Sequence, residues 1–235
     1  MESLDRLLSA TQTSHAAVDA QPARRPVRMT LEGAYTILVP IDASRHARDL
    51  YAPTHGAERE TLWRYLGDGP FASEADFRTA LERKAATDDP LFFAITEPRS
   101  GRALGYASYM RIEPGHRCIE VGGILFAPEL QRTAAATEAM YLMSRHAFED
   151  LGYRRYEWKC DALNRKSIRA ALRLGFTFEG VFRQHMIVKG HNRDTAWFAM
   201  LGSEWPARKA VFERWLGPEN FDADGRQKTA LGRGI

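Results

Sequence analysis

Apolar and polar positions alternate at Tyr35, Ile37 and Val39 in "LEGAYTILVPID", the period-two signature of a half-buried strand. Ser44 then reads as the cap of a helix through "RHARDLYA", and "ERETLWRYLGDGPF" as a short helix ending at Gly67. In "SEADFRTALERKAA", Phe77, Leu81 and Ala85 share one helical face, with Ser73 as N-cap and Asp76 where a capping box places an acid. "LFFAIT" and "ALGYASYMRI" are strands joined by the turn Pro98-Arg99-Ser100-Gly101, so they pair antiparallel. "CIEVGGILFAP" is a strand closed by Pro128, and "TAAATEAMYLMSRHAFEDLG" a helix stopped by Gly152. "RRYEWKCDA" is a strand. "NRKSIRAALRLGF" is a helix capped by Asn164, with Gly175 past its end. "FEGVFRQHMIV" and "RDTAWFAML" form a hairpin around Lys189-Gly190-His191-Asn192, and "SEWPARKAVFERWL" is the last helix.

The middle of the chain therefore reads β-β-β-α-β-α-β-β. Hairpins give antiparallel pairs and strand-helix-strand crossovers a locally parallel one. The expected fold class is α/β, with a mixed, mostly antiparallel sheet of about seven strands and helices on both faces. Residues 1–28, rich in Ala, Ser, Thr, Gln, Arg and Pro, read as a poorly ordered tail with a short helix at 4–8. The domain proper spans 29–202. Residues 203–235 are a C-terminal helix packed on it, followed by a polar, frayed end.

The 235 residues carry 33 Lys plus Arg against 30 Asp plus Glu, a formal charge of +3 that does not suit a dedicated nucleic-acid binder. No apolar run approaches the ~20 residues needed to span a bilayer. The N-terminus lacks the basic start and apolar stretch of a secretory signal. The two cysteines, Cys118 and Cys160, are too few for a disulfide framework, so a cytoplasmic location is the default. Seven histidines show no His-Glu-x-x-His or paired Cys/His spacing, and no metal is expected.

One junction stands out: "LFAPELQRTAAATEAMYLM", residues 125–143, a strand end, a loop and a helix start. Free backbone N–H groups and a positive dipole end at such a place suit a pyrophosphate, and an ordinary structural junction looks the same. Three features resemble the GNAT superfamily of acyl-CoA-dependent N-acyltransferases, in particular its branch of ribosomal-protein N-terminal acetyltransferases. "APELQRTAAATEA" is similar to the family's pyrophosphate loop, Gln/Arg-x-x-Gly-x-Gly/Ala. "NRKSIRAALRLGFTFEG" is similar to the branch's Asn-x-x-Ser, Leu-Gly-Phe and Glu-Gly run. "GYASYMRI" and "IEVGGILF" precede the loop in the family's order. Together they cover residues 31–201.

The resemblance implies an acyl-CoA held between two parallel strands split by a bulge, for which Gly122-Gly123 is the natural bend. The backbone of Ile124, Leu125 and Phe126 would face the pantetheine arm. Gln131, Arg132, Thr133, Ala134, Ala135, Ala136 and Thr137 would hold the pyrophosphate. The family's first glycine falls on Ala134 and its second on Ala136. Without glycine the loop must be right-handed from Gln131 onward and helical by Thr133, with Ala134 donating its N–H. Arg132 adds charge. Arg132, Lys166, Arg169 and Arg173 surround the two helix starts, where they could meet the 3′-phosphate or form a solvated face.

Amide formation needs a base, an oxyanion donor and an acid for the leaving thiolate. Glu120 is the candidate base: its neighbours Ile119, Val121 and Ile124 are apolar, and burial would raise its pKa. The other reading is a carboxylate paired with an arginine. Asn164 would cap its helix and contact the cofactor. Ser167, the branch's serine, would protonate or hydrogen-bond the sulfur, because the superfamily's usual tyrosine position is Ala171. The oxyanion donor would be a backbone N–H near Ile124 or Leu125. Trp63, Tyr65 and Phe71 either line an acceptor pocket or pack a helical lid, the latter being the plainer reading. Trp158, Trp197, Trp205 and Trp215 read as packing residues, as do Cys118 and Cys160, and His116, His185 and His191 as surface residues near strand ends.

The reading is an N-acyltransferase moving acetyl, or another short acyl group, from CoA to a primary amine by direct attack. The acceptor is a protein N-terminus or a small molecule such as an amino acid or antibiotic. No nucleic acid or membrane partner is expected, and a homodimer is compatible. The alternative from another class is a CoA-binding sensor without catalysis.

Overall fold

The computed structural model describes residues 17–232. Its strands are β1 (Leu31–Glu32), β2 (Ile37–Pro40), β3 (Leu91–Thr96), β4 (Ala103–Glu113), β5 (Cys118–Phe126), β6 (Arg155–Asp161), β7 (Thr177–Val188) and β8 (His191–Leu201). The helices are α1 (Ala43–Thr54), α2 (Glu60–Trp63), α3 (Glu74–Ala86), α4 (Ala134–Arg145), α5 (Arg165–Arg173) and α6 (Trp205–Leu216). They build one mixed sheet of eight strands in the order β1-β2-β3-β4-β5-β6-β8-β7. Only β5 and β6 run parallel, as the crossover through α4 requires. The extra strand is β1, a two-residue piece too short for any periodicity to reveal.

Helices cover both faces of the sheet. Ile119, Val121, Met140, Tyr156, Trp158, Phe198, Phe212 and Trp215 fill one core, under α4, α5 and α6. Leu50, Trp63, Phe77, Leu81, Phe92, Tyr106 and Leu125 fill the other, under α1, α2 and α3. Fully burying one such side chain contributes about 1.5–3 kcal/mol. Coverage on both faces blurs alternation: in β2 it is Leu38 that is fully buried, while Ile37 and Val39 are half-buried.

Three helix ends differ from the expected ones. Asp42, not Ser44, caps α1: its Oδ1 accepts the N–H groups of Ser44 and Arg45 and the Ser44 hydroxyl. The helix expected to reach Gly67 stops at Trp63, whose indole sinks into the lid core and donates to Thr54 O at 2.7 Å. α4 passes into a π-helical turn, His146–Asp150, before Gly152. Ser73 caps α3 as expected and exchanges hydrogen bonds with Asp76. Asn164 caps α5 by accepting the Ser167 N–H at 3.1 Å.

The helix expected at 4–8 lies outside the described residues. From Asp19 onward the N-terminal segment runs along the domain without regular structure. Ala23 N–H donates to Pro114 O and Arg24 N–H to Leu151 O, and Arg28 reaches Asp88 and the carbonyls of Ala85 and Thr87. Beyond α6 the chain folds back, with a Phe221–Gln227 bridge and Leu231 buried in the first core. No helix among the described residues is long and apolar enough to cross a membrane.

Candidate active site

The parallel pair β5–β6 holds only from Cys118↔Arg155 to Val121↔Trp158. Past that point β5 leaves β6. On its other side the β4 register jumps from Ser108↔Gly122 to Tyr106↔Leu125, so Gly123 and Ile124 bulge opposite the single residue Ala107. Gly123 has φ 57°, a left-handed value that glycine adopts without cost. The bulge also exchanges faces: Ile119 and Val121 lie in the α4 core, but Leu125 lies in the lid core. The expected bend at Gly122-Gly123 is thus present. It leaves the β6-facing backbone of 122–126 outside the ladder, lining an open wedge.

The mouth of the wedge meets the start of α4. Thr133 is the N-cap, in an extended conformation, and its Oγ1 accepts the Ala136 N–H at 3.1 Å. Among the described residues, no group accepts a hydrogen bond from the N–H of Arg132, Thr133, Ala134 or Ala135. Four adjacent free donors at a positive dipole end form an anion cradle. The expected right-handed loop is corrected on one point: Arg132 has φ 63°, and the helix begins at Ala134 rather than being helical at Thr133. The chain reverses at Arg132, so Ala134 and Ala136 never need the glycine conformation. The Gln131 amide fixes the turn by donating to Phe126 O at 3.0 Å. The side chain of Thr137 lies behind the cradle, where its Oγ1 accepts from Arg173 Nη1 at 3.1 Å. Arg173 also lies 5.0 Å from the Trp215 ring centroid, tying α5 to α4 and α6. Lys166 and Arg169 are exposed.

Glu120 sits on the lid face of β5 with 2% of its surface accessible, but not in an apolar setting. Arg111 Nε donates to its Oε2 at 2.7 Å and Lys159 Nζ lies 3.1 Å from the same oxygen. Among the described residues nothing donates to Oε1, which lies 3.3 Å from where a Cβ on Gly122 would stand. The lone carboxylate among aliphatic groups, on which a raised pKa rested, is therefore not what forms. Charge continues across the sheet. Lys159, equally buried, meets Glu157 at 2.9 Å and stacks 3.6 Å from the Trp197 ring centroid. Arg155 joins Glu157 at 2.7 Å to Glu179 at 2.5 Å. Burial opposes the charge on Glu157, yet bonds from Arg155 and Lys159 hold its carboxyl below the usual range.

Asn164 and Ser167 come together as expected. Ser167 Oγ accepts the Trp158 indole N–H at 2.9 Å and lies beside the Cys160 thiol. Ala171 is buried in the core, so no side chain from that position enters the wedge. Burial pushes the thiols of Cys118 and Cys160 up, which keeps them protonated.

Trp63 and Phe71 pack the lid among His55 and Phe77. The lid reaches across to the β6 side of the wedge: Tyr65 donates to Leu163 O at 3.3 Å, and Lys189, at the β7–β8 turn, donates to Trp63 O at 2.8 Å. His185 is exposed, as are His116 and His191, but bonds Thr195 and lines an open groove of about 820 Å³ with Phe182, Arg183, Gln184, Asn192 and Asp194. Lys159 and Glu157 went unassigned in the sequence. Their signal was there, since both alternate with Tyr156, Trp158 and Cys160 and so place charge on a central strand that should be apolar on both faces. Among the described residues no group of three or more His, Cys, Asp or Glu is placed to hold a metal ion.

Comparison with known proteins agrees with this fold. Residues 36–177 match the family model described as the acetyltransferase (GNAT) domain. A GCN5-related N-acetyltransferase from Brucella melitensis is 47% identical, with a TM-score of 0.87 over 90% of this chain and 96% of that one. A structure from Chromobacterium violaceum, described as a probable acetyltransferase of the GNAT family, is 38% identical, with a TM-score of 0.76 over 83% of this chain and 98% of that one. A Bacillus subtilis protein named "Putative ribosomal N-acetyltransferase YdaF" is 28% identical over 74% of this chain and 93% of its own length.

Proposed function

The chain belongs to the GNAT acetyltransferase family, and from that premise we propose that it transfers acetyl, or another short acyl group, from acyl-CoA to a primary amine by direct attack in a ternary complex. The observation that carries this reading is the set of free amides of Arg132, Thr133, Ala134 and Ala135, opening on the wedge between β5 and β6. These amides and the Arg132 side chain would bind the pyrophosphate. The unladdered backbone of Ile124, Leu125 and Phe126 would bind the pantetheine amides, and Asn164 and Arg173 would flank the nucleotide end.

Glu120 Oε1 would take a proton from the incoming ammonium, directly or through one water, so that the neutral amine attacks, while Arg111 and Lys159 fix Oε2. The Ile124 N–H would stabilise the tetrahedral oxyanion. Ser167 Oγ–H would protonate the departing thiolate, its oxygen being oriented by Trp158. The amine would enter between the lid and the β7–β8 hairpin. A protein N-terminus is favoured as acceptor by the likeness to YdaF, and a small amine fits the same chemistry. The sensor reading is favoured by the two cations on Glu120, and thiol release in the presence of an amine excludes it.

Ala134→Pro tests the cradle. Proline is favoured at the first helical position, and the extended backbone of Thr133 is what a residue before proline adopts. The variant removes one donor and leaves the helix. Acetyl-CoA affinity should fall about tenfold, the loss of one charge-assisted hydrogen bond, with little change in Tm. Unchanged affinity in calorimetry would place the pyrophosphate elsewhere.

A further inference from the structure

A second cavity, of about 290 Å³, opens beside the bulge and is lined by Leu66, Gly67, Asp68, Lys84, Phe92, Tyr106 and Gly123. It is far larger than an acetyl group needs, since a methyl is about the size of a water molecule, whose share of liquid volume is roughly 30 Å³. Gly123 opens the bulge onto it, because any side chain there would press on the Phe92 ring at 3.1 Å. Gly122, next in the chain to the lining residue Gly123, lies against Glu120 Oε1.

Two polar groups wait in this cavity. The Tyr106 hydroxyl is on a side chain only 1% exposed and has no hydrogen-bond partner among the described residues. Buried hydroxyls are ordinarily paired, so an orphan facing a cavity points to a ligand. Burial raises its pKa well above the usual phenol value, so it stays a donor. The Lys84 ammonium lies 4.8 Å from the Phe92 ring centroid and 5.6 Å from that of Tyr106. Its carboxylate partner, Asp68 at 2.6 Å on the lid loop, has 38% of its side chain exposed to solvent.

We propose that this cavity receives the distal end of the acyl group and selects a short acyl chain ending in a carboxylate, as in malonyl- or succinyl-CoA. The terminal carboxylate accepts from Tyr106 Oη and replaces Asp68 on Lys84. The chain methylenes lie against Phe92 and Leu66. Discrimination follows from the unpaired Tyr106 hydroxyl: a chain of the same length ending in methyl leaves it buried and unsatisfied.

This inference rests on the acyltransferase reading, and the test separates the two. Acetyl-, butyryl- and succinyl-CoA are compared by calorimetry and by thiol release with a common amine panel. The wild type should favour succinyl- over butyryl-CoA by about tenfold or more in Kd, as expected for hydrogen bonds to a charged group. Tyr106→Phe and Lys84→Met should each reduce that ratio about tenfold, with Tm reporting that each variant is folded. Butyryl-CoA binding as well as succinyl-CoA, or variants that change only the KM of the amine, would overturn the assignment and give the cavity to the acceptor. Failure of all three thioesters to bind would overturn the acyltransferase reading itself, and this inference with it.

Discussion

Glu120→Gln lowers kcat by about a hundredfold or more, the usual range for a positioned general base, while the Kd of acetyl-CoA stays within a few-fold. The substitution keeps the shape of the side chain and one oxygen for Arg111 or Lys159, but removes the site that takes the proton. Stability falls as well, because Lys159 keeps only one of its two buried anions, Glu157. Rates must therefore be compared well below the Tm of the variant. Full activity across the pH range would remove Glu120 as the base and leave it a structural counter-ion of Lys159.

Glu138→Ala should destabilise the fold by on the order of 2–3 kcal/mol, since the buried Thr36 N–H left unpaired costs about 1–3 kcal/mol and the more accessible Tyr35 and Ala34 amides add less. Its two oxygens accept the backbone N–H groups of Ala34, Tyr35 and Thr36 at 2.9, 2.6 and 2.8 Å, with 5% of the residue exposed. These bonds anchor the turn between β1 and β2 to α4, directly behind the proposed cofactor cradle. Gly33 completes the fit, because a Cβ there would stand 2.3 Å from Glu138 Oε2. Glu138→Gln should fall between, as its amide can accept at one atom only. Urea unfolding measures the effect, and a loss below about 1 kcal/mol, the net worth of a single ordinary hydrogen bond, would mean the three amides find other partners.

Local chemistry was legible in the sequence. The Asn164 cap and the Ser73–Asp76 exchange follow from residues three apart, and the order of strands and helices follows from periodicity. The split of β5 from β6 was implied by the family resemblance, with Gly122-Gly123 marking the place of the bend. What failed to show depended on distant or exceptional backbone. Arg132 adopts a left-handed φ that few non-glycine residues take, so the course of the loop was not legible. The partners of Glu120 come from two neighbouring strands, and Arg111 reaches it from a bulge at φ 47° that shifts the β4 register. The Glu138 anchor joins positions more than a hundred residues apart. The Tyr106 cavity exists only where the lid, β4 and the bulge meet.

Thiol release from acetyl-CoA in the presence of an amine panel, including peptides with free N-termini, tests the central claim most directly. The account predicts release that depends on both enzyme and amine, saturates in each, and falls with Ala134→Pro and Glu120→Gln. No release above the uncatalysed rate with any amine or acyl-CoA would contradict it, and binding of acetyl-CoA without turnover would identify a sensor in place of an enzyme.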